Sequence, residues 1–219
     1  MENISKLATS IQKLISPFTE PIFSEFGNYI AEKIRFVRFQ NSLKVLARAK
    51  DILQEKGLDT KSVDLKVLVP IIEGAALEED DEMTEIWAKL LASASHDDNV
   101  ITPFPRILSE LSPKEAKILS YLYDQWSAVI LIGDGQISEP TCEHLLDNFD
   151  FKSDKYGSEF ELIINNLVRL RLIGLGGVQI KDIDSQNYAI QNYQQIVLTQ
   201  FGWAFIRACQ GPEADEKFK

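Results

Sequence analysis

The chain has 219 residues, of which 45% are hydrophobic and 26% charged, and its formal net charge is −10. Such a chain can bury a core, which excludes a disordered protein. Its two cysteines exclude a disulfide-rich scaffold. The acidic balance disfavours nucleic-acid binding unless a basic surface forms locally. The longest apolar run, Ala128–Ile132, is too short to span a bilayer and no secretory signal is evident, so we expect a cytoplasmic protein.

The first helix signal consists of apolar residues at helical spacing before Pro17: Ile4, Leu7, Ala8, Ile11, Leu14 and Ile15. A short amphipathic helix of this kind binds a membrane, a partner or its own core. Its only cations are Lys6 and Lys13, which favours packing on the protein's own core.

A long helix is predicted from Ile22 to about Glu55, because no proline interrupts this segment and Gly57 can end it. The helix carries two apolar stripes on different sides. The first stripe is Phe23, Phe26, Ile30, Ile34, Val37, Val45 and Ile52, and the second is Phe36, Phe39, Leu43 and Leu46. A helix that is apolar on two sides is predicted to lie between two layers of the fold or in a dimer interface.

A helix pair is predicted next. Its apolar stripes are Leu65, Leu68, Val69, Ile72 and Ala76 on the first helix, and Met83, Ile86, Trp87, Leu90, Leu91 and Ala94 on the second. A loop at a domain boundary is then predicted from Asp97, Asp98, Asn99, Pro103 and Pro105. Residues 1–100 are therefore predicted to form a helical domain with an acidic corner between the paired helices.

Residues 101–219 are predicted to form a second, winged helix-turn-helix domain with a β-hairpin wing. Ser112-Pro113-Lys114-Glu115 has the residues of a capping box and opens a helix to about Asp124. Further elements are predicted at about Glu139–Asn148 (helix), from Ser158 (helix), at Val178–Ile183 and Tyr188–Leu198 (strands), and after Thr199 (helix). The predicted fold class is mainly α, and α+β overall.

Contacts to DNA would come from the third helix of this domain and from its wing. The candidates are Asn165, Asn166, Arg169, Arg171 and Lys181. Glu159 and Glu161 are predicted on the same exposed side and cancel the two arginines, which disfavours the phosphate contacts that DNA binding needs. Winged helices also bind proteins. We therefore predict a protein-binding module, with DNA binding as the alternative.

The stretch Glu73–Ala94, EGAALEEDDEMTEIWAKLLASA, forms the acidic corner, and its candidate partner contacts are Glu73, Glu78, Glu79 and Trp87. Asp80 or Asp81 is predicted to cap the second helix, with Glu82 and Glu85 near the positive end of its dipole. Glu78 and Glu79 follow the wrong end of a helix for negative charge, so they are predicted to lie on the surface or to contact a partner.

Glu73 flanks the apolar stripe and is expected to be half-buried, which requires an arginine of the long helix or the Trp87 indole as its partner. A functional carboxylate is the alternative. No metal, cofactor or catalytic residue is predicted. Cys142 and His144 diverge on a helix, and no second ligand pair completes a zinc site.

The segments Val69–Ala94 and Ile107–Leu122 resemble the Abi-alpha family of bacterial abortive-infection proteins. The shared features are a proline before an apolar helix with Glu, a Leu-Glu-acid-acid run, Trp-Ala-x-Leu-Leu and a downstream Leu-Ser-Pro capping box. The resemblance extends more loosely from about Gly27 to Cys209. It implies a bacterial protein that limits phage growth, and it supplies no catalytic residues.

Three hypotheses follow. The first is a non-enzymatic interaction protein that senses or sequesters a phage or host protein, with a homodimer as one form of association. The second is a winged-helix DNA-binding regulator. The third is a hydrolase or nuclease that uses the acidic corner with a divalent ion.

Overall fold

The computed structural model describes residues 21–97, 99–132, 142–152, 157–176 and 195–212. Within these residues the fold is mainly helical with one two-stranded antiparallel sheet. In chain order the elements are α1 (Pro21–Glu55), α2 (Leu65–Ala75), α3 (Asp81–Ala94), α4 (Pro103–Ser109), α5 (Pro113–Ile132), α6 (Cys142–Asn148), α7 (Glu159–Arg169), β1 (Ile173–Gly176), β2 (Gln195–Leu198) and α8 (Gln200–Cys209). The predicted helix at residues 4–15, the predicted strand Val178–Ile183 and Lys181 lie outside the described residues.

Helix α1 has nearly the predicted bounds, and Gly57 follows it with a φ of 64°, which glycine adopts without strain. Among residues 31–55, whose side chains the structure describes, Val45 is the first buried residue. Residues 32–40 are all exposed. Over residues 32–40, α1 is therefore not enclosed between two layers of the described chain, and the predicted dimer interface stays a prediction.

Helix α2 is rotated relative to the predicted stripe. Val67, Ile71 and Ala75 are buried. Of the predicted stripe, Ala76 is buried and Leu68 and Ile72 pack against the core, whereas Leu65 and Val69 are exposed. Most residues of α2 are apolar, so two faces satisfy the helical period and the periodicity alone cannot choose between them.

Helix α4 occupies the proline-containing end of the predicted loop, so the prediction is wrong at Pro103 and Pro105, whereas Asp97 and Asn99 do lie in a loop. Prolines are tolerated in the first turn of a helix because the amides there have no partner within the helix. Phe104 is buried, and its ring meets Phe201 and Phe205 edge-on at centroid distances of 5.6 and 5.4 Å. The predicted boundary segment is therefore part of the packed core.

The core runs from α1 to α8 as one cluster. Helix α3 packs against both α1 and α8. Ser93 Oγ donates to the carbonyl of Ala208 at 2.8 Å, and Lys56 Nζ donates to the carbonyl of Pro212 at 2.6 Å. The division at residue 100 stays a prediction, although packing and hydrogen bonds link the two sides of it.

Helices α5 and α8 begin at the predicted caps. The Ser112 amide and hydroxyl both donate to Glu115 Oε2 at 2.7 Å, which forms the capping box of α5. Helix α5 continues to Ile132, beyond the predicted end at Asp124. Thr199 Oγ1 accepts from the Gly202 amide at 2.9 Å and starts α8.

Strands β1 and β2 pair with Ile173 opposite Leu198 and Gly176 opposite Gln195. The first strand therefore begins directly after α7, before the predicted run at Val178. The Trp126 indole N–H donates to the carbonyl of Ile196 at 3.0 Å and attaches α5 to this sheet.

Candidate functional site

The carboxylates at the turn between α2 and α3 bind backbone amides. Asp80 Oδ1 accepts from the Met83 amide at 2.9 Å, which confirms the predicted N-cap. Glu78 Oε1 accepts from the amides of Glu79 and Asp80, both at 3.1 Å. Glu78, which no helix-end argument explained, therefore stabilises the turn, while Glu79 is exposed.

Glu82 and Glu85 attach α3 to the neighbouring helices. The Glu85 carboxylate accepts hydrogen bonds from Nε and Nη2 of Arg48 on α1, at 2.8 and 3.0 Å. This two-point pairing raises the pKa of Arg48. Glu82 pairs with Lys117 Nζ on α5 at 2.7 Å and raises the pKa of Lys117. The sequence predicted only a dipole role for both glutamates, because their partners lie far away along the chain.

Of the candidate partner contacts, Glu73 lies at the surface and Trp87 lies in the core. The Glu73 side chain is exposed, so the expectation of a half-buried carboxylate is wrong. The rotation of α2 toward Val67 and Ile71 explains this position. Trp87 is 1% exposed and its Nε1 has no hydrogen-bond partner within the described chain. A side chain this deep in the core is out of reach of a partner at the surface.

A groove of about 680 Å³ opens between α3 and α5, directly beside the acidic corner. Its floor includes Met83, Ile86 and Ala116, of which Met83 and Ala116 are buried. Its charged lining residues are Asp81, Glu82, Glu85, Lys89, Lys117 and Asp124. An apolar floor inside a charged rim matches the anatomy of protein-binding surfaces.

Two of the candidate DNA contacts on α7 bind residues of this chain. Arg169 Nη2 donates to Glu110 Oε2 at 2.7 Å, and this hydrogen bond holds the pKa of Glu110 below its usual range. Asn166 Nδ2 donates to Glu115 Oε1 at 2.7 Å. Asn165 and Arg171 are exposed. This end of α7 is therefore already joined to the end of α4 through Glu110 and to the first turn of α5 through Glu115.

Glu161 corrects another expectation about α7. It was predicted to be exposed, but it is buried and its carboxylate accepts from the Gly157 amide before the helix. The Glu161 amide in turn approaches Ser158 Oγ at 3.3 Å. Ser158 and Glu161 thus form a second capping box, whose spacing was visible in the sequence.

The comparisons with known proteins agree with the resemblance seen in the sequence. A model of the family described as abortive infection alpha matches residues 35–209. The chain belongs to this family. No curated protein and no solved structure matches it.

The abortive infection alpha match covers the acidic corner, the groove and the described part of the chain after it, and it begins within the exposed part of α1. Among the described residues of this family member, no three His, Cys, Asp or Glu side chains are grouped to hold a metal ion. Cys209 is buried, and this burial raises the pKa of its thiol. No described helix is both long and apolar enough to cross a bilayer.

Proposed function

We propose that this chain is an antiphage defence protein of the abortive infection type, and that it works by binding a phage or host protein rather than by catalysis. The observation that carries the proposal is the family match over residues 35–209. The mode of action is argued separately from the surface that the helices form.

The groove between α3 and α5 is the surface that we assign to the partner. Lys117 and Lys89 face the carboxylates of α3, so both signs of charge line the same groove. Mixed charge of this kind selects a complementary protein surface more readily than a uniformly charged polymer. Asp81 and Asp124 are exposed at the rim and are available to such a partner.

The hydrogen bonds and ion pairs of the acidic corner support a non-enzymatic role. Asp80 and Glu78 bind backbone amides, and Glu82 and Glu85 bind Lys117 and Arg48. Carboxylates held in this way stabilise the helix junctions. They contribute to the shape and charge of the groove by fixing α3 against α1 and α5.

We also propose that the region from α5 to α8 is a winged helix, because the order of three helices, two strands and a closing helix matches that fold. For this winged helix the protein-binding role is favoured over the DNA-binding alternative. Arg169 and Asn166 already bind Glu110 and Glu115, so contact with DNA would have to break those hydrogen bonds.

The test is infection of bacteria that express the chain, compared with an empty vector, across a broad panel of phages. The proposal expects a lower phage yield per infected cell together with loss of infected-cell survival. If neither quantity changes with any phage, the defence role is wrong. An electrophoretic shift with a pool of duplex DNA that selects one sequence would instead support the regulator.

A further inference from the structure

Both lysines that line the groove between α3 and α5 already lie beside carboxylates of this chain. Lys117 Nζ is 2.7 Å from Glu82 Oε2, and Lys89 Nζ is 4.0 Å from Glu85 Oε1. An anionic ligand at either lysine would meet the charge of the glutamate beside it, and like charges repel. The groove is therefore a poor site for a phosphate, a nucleic acid or an acidic peptide.

Two other carboxylates of the groove, those of Asp81 and Asp124, are exposed and have no hydrogen bond or ion pair with another described residue. Asp81 lies in the first turn of α3, where the helix dipole stabilises negative charge. Asp124 lies in the interior of α5, where the dipole gives no such benefit. No Lys or Arg stands three or four residues from it in the sequence. Since Asp is also a poor helix former, the described chain gives Asp124 no compensating contact.

These two carboxylates mark different ends of the groove. Asp81 precedes Glu82, whose carboxylate meets Lys117 on α5. Asp124 lies seven residues after Lys117, which is two turns along the same side of α5 and about 10 Å along its axis. Between these ends lies the apolar floor of the groove. The surface is therefore negative, apolar and negative again over about two helical turns.

We propose that this groove binds a helical segment of the partner that carries a cationic side chain at each end of one face and apolar side chains between them. The inference rests on the proposed function, because it names the chemistry of the partner that the groove holds. In a helix, residues i and i+7 lie on one side about 10 Å apart, which matches the two turns of α5 between the ends of the groove. Apolar residues at i+3 and i+4 then face the floor.

A cationic protein segment fits this surface better than a metal ion or a nucleic acid does. Among the residues that the structure describes, no three His, Cys, Asp or Glu side chains are grouped to hold a metal. A nucleic acid would bring phosphates to a lining of four carboxylates and two lysines, on a chain whose net charge is −10. A helix with cations beside apolar side chains uses both the rim and the floor.

The test uses an alanine-rich peptide of about 18 residues, long enough to form a helix in water. It carries arginine at i and i+7 and leucine at i+3 and i+4. A comparison peptide has glutamate in place of both arginines, and a linear polyamine supplies cations without the leucines. Calorimetric titration of the full chain should give a Kd below about 1 mM for the arginine peptide and weaker binding of the other two probes.

Variants of the chain locate the binding. Asp124→Lys should weaken binding of the arginine peptide about fivefold or more, because attraction at one end of the groove becomes repulsion. A peptide in which the arginine at that end becomes glutamate should bind Asp124→Lys more tightly than it binds the wild type. The matched control is Asp147→Lys, an exposed carboxylate on α6 outside the groove, which should bind like the wild type. Thermal unfolding confirms that both variants fold.

Three results would overturn the inference: equal affinity for the arginine peptide and either other probe, no binding of any probe up to about 1 mM, or equal weakening by the two variants. None of them would affect the proposed function, since the infection test uses no probe. Conversely, a chain that protects against no phage yet binds the arginine peptide through Asp124 would overturn the proposed function and support the groove's preference for cationic helices.

Discussion

Helix α2 packs so closely on α3 at Gly74 that an added side chain would clash with Trp87. A Cβ built at this position would lie 2.4 Å from Cη2 and 2.6 Å from Cζ2 of Trp87. Alanine normally stabilises the interior of a helix by about 1 kcal/mol relative to glycine. Overpacking a core costs about 1–3 kcal/mol, and the buried indole has little room to move.

We predict that Gly74→Ala lowers the free energy of unfolding by up to about 2 kcal/mol, since the cost of overpacking exceeds the gain in helix propensity. Chemical denaturation of the full chain measures this loss. The control is the same substitution in a Trp87→Phe background, where the smaller ring removes the clash and the loss should shrink. Equal losses in the two backgrounds would contradict the account.

Glu110 gives a prediction about pH. The hydrogen bond from Arg169 holds its pKa below the ordinary value of 4.5. A carboxyl whose pKa is lower in the folded state stabilises the protein above the unfolded pKa, and this contribution is lost as the pH falls through the folded pKa.

Glu110→Gln should therefore be less stable than the wild type at neutral pH and should lose less stability on acidification. Urea unfolding from neutral pH to below 4.5 measures both curves. Glu79→Gln, an exposed carboxyl, is the control and should follow the wild type. Parallel curves for Glu110→Gln and the wild type would show that the pair with Arg169 does not stabilise the fold.

At the scale of elements, Asp80 tests whether the acidic corner is structural. Asp80→Ala removes the hydrogen bond to the Met83 amide and should cost about 1 kcal/mol of the free energy of unfolding. Asp80→Asn keeps the cap and should cost less. Asp81→Ala is the matched control on an exposed neighbour. An equal cost at Asp80 and Asp81 would contradict the assignment of the cap.

The starts of several helices could be predicted because a cap is a local signal. Asp80, Ser112, Ser158 and Thr199 each accept a hydrogen bond from the amide three residues ahead, and residues of these types before an apolar run mark a helix start in the sequence. The face that α2 buries could not be predicted, since most of its residues are apolar. Helix α4 was missed because its prolines also fit a loop.

The candidate site was harder to predict than the helices that build it. The sequence identified the acidic corner, but it could not show that Lys117 and Arg48 pair with its glutamates across the fold. It likewise placed Trp87 among the partner contacts, although the core encloses it. Contacts between distant segments depend on how helices rotate against each other, and hydrophobic periodicity constrains that rotation only loosely.

At the scale of the whole molecule, α3 is the element that connects the core to the groove of the proposed function. It packs on α1 and α8 and forms one wall of the groove, and its acidic end joins it to α1 and α5.

The most direct test of the proposed role is the phage yield per infected cell for two charge-reversal variants. Asp124→Lys changes an exposed carboxylate of the groove, and Asp147→Lys changes an exposed carboxylate on α6 outside it. Thermal unfolding confirms that both variants fold. The account predicts that Asp124→Lys raises the yield toward that of the empty vector while Asp147→Lys protects like the wild type. Equal protection by the two variants would contradict the groove as the surface through which the protein acts.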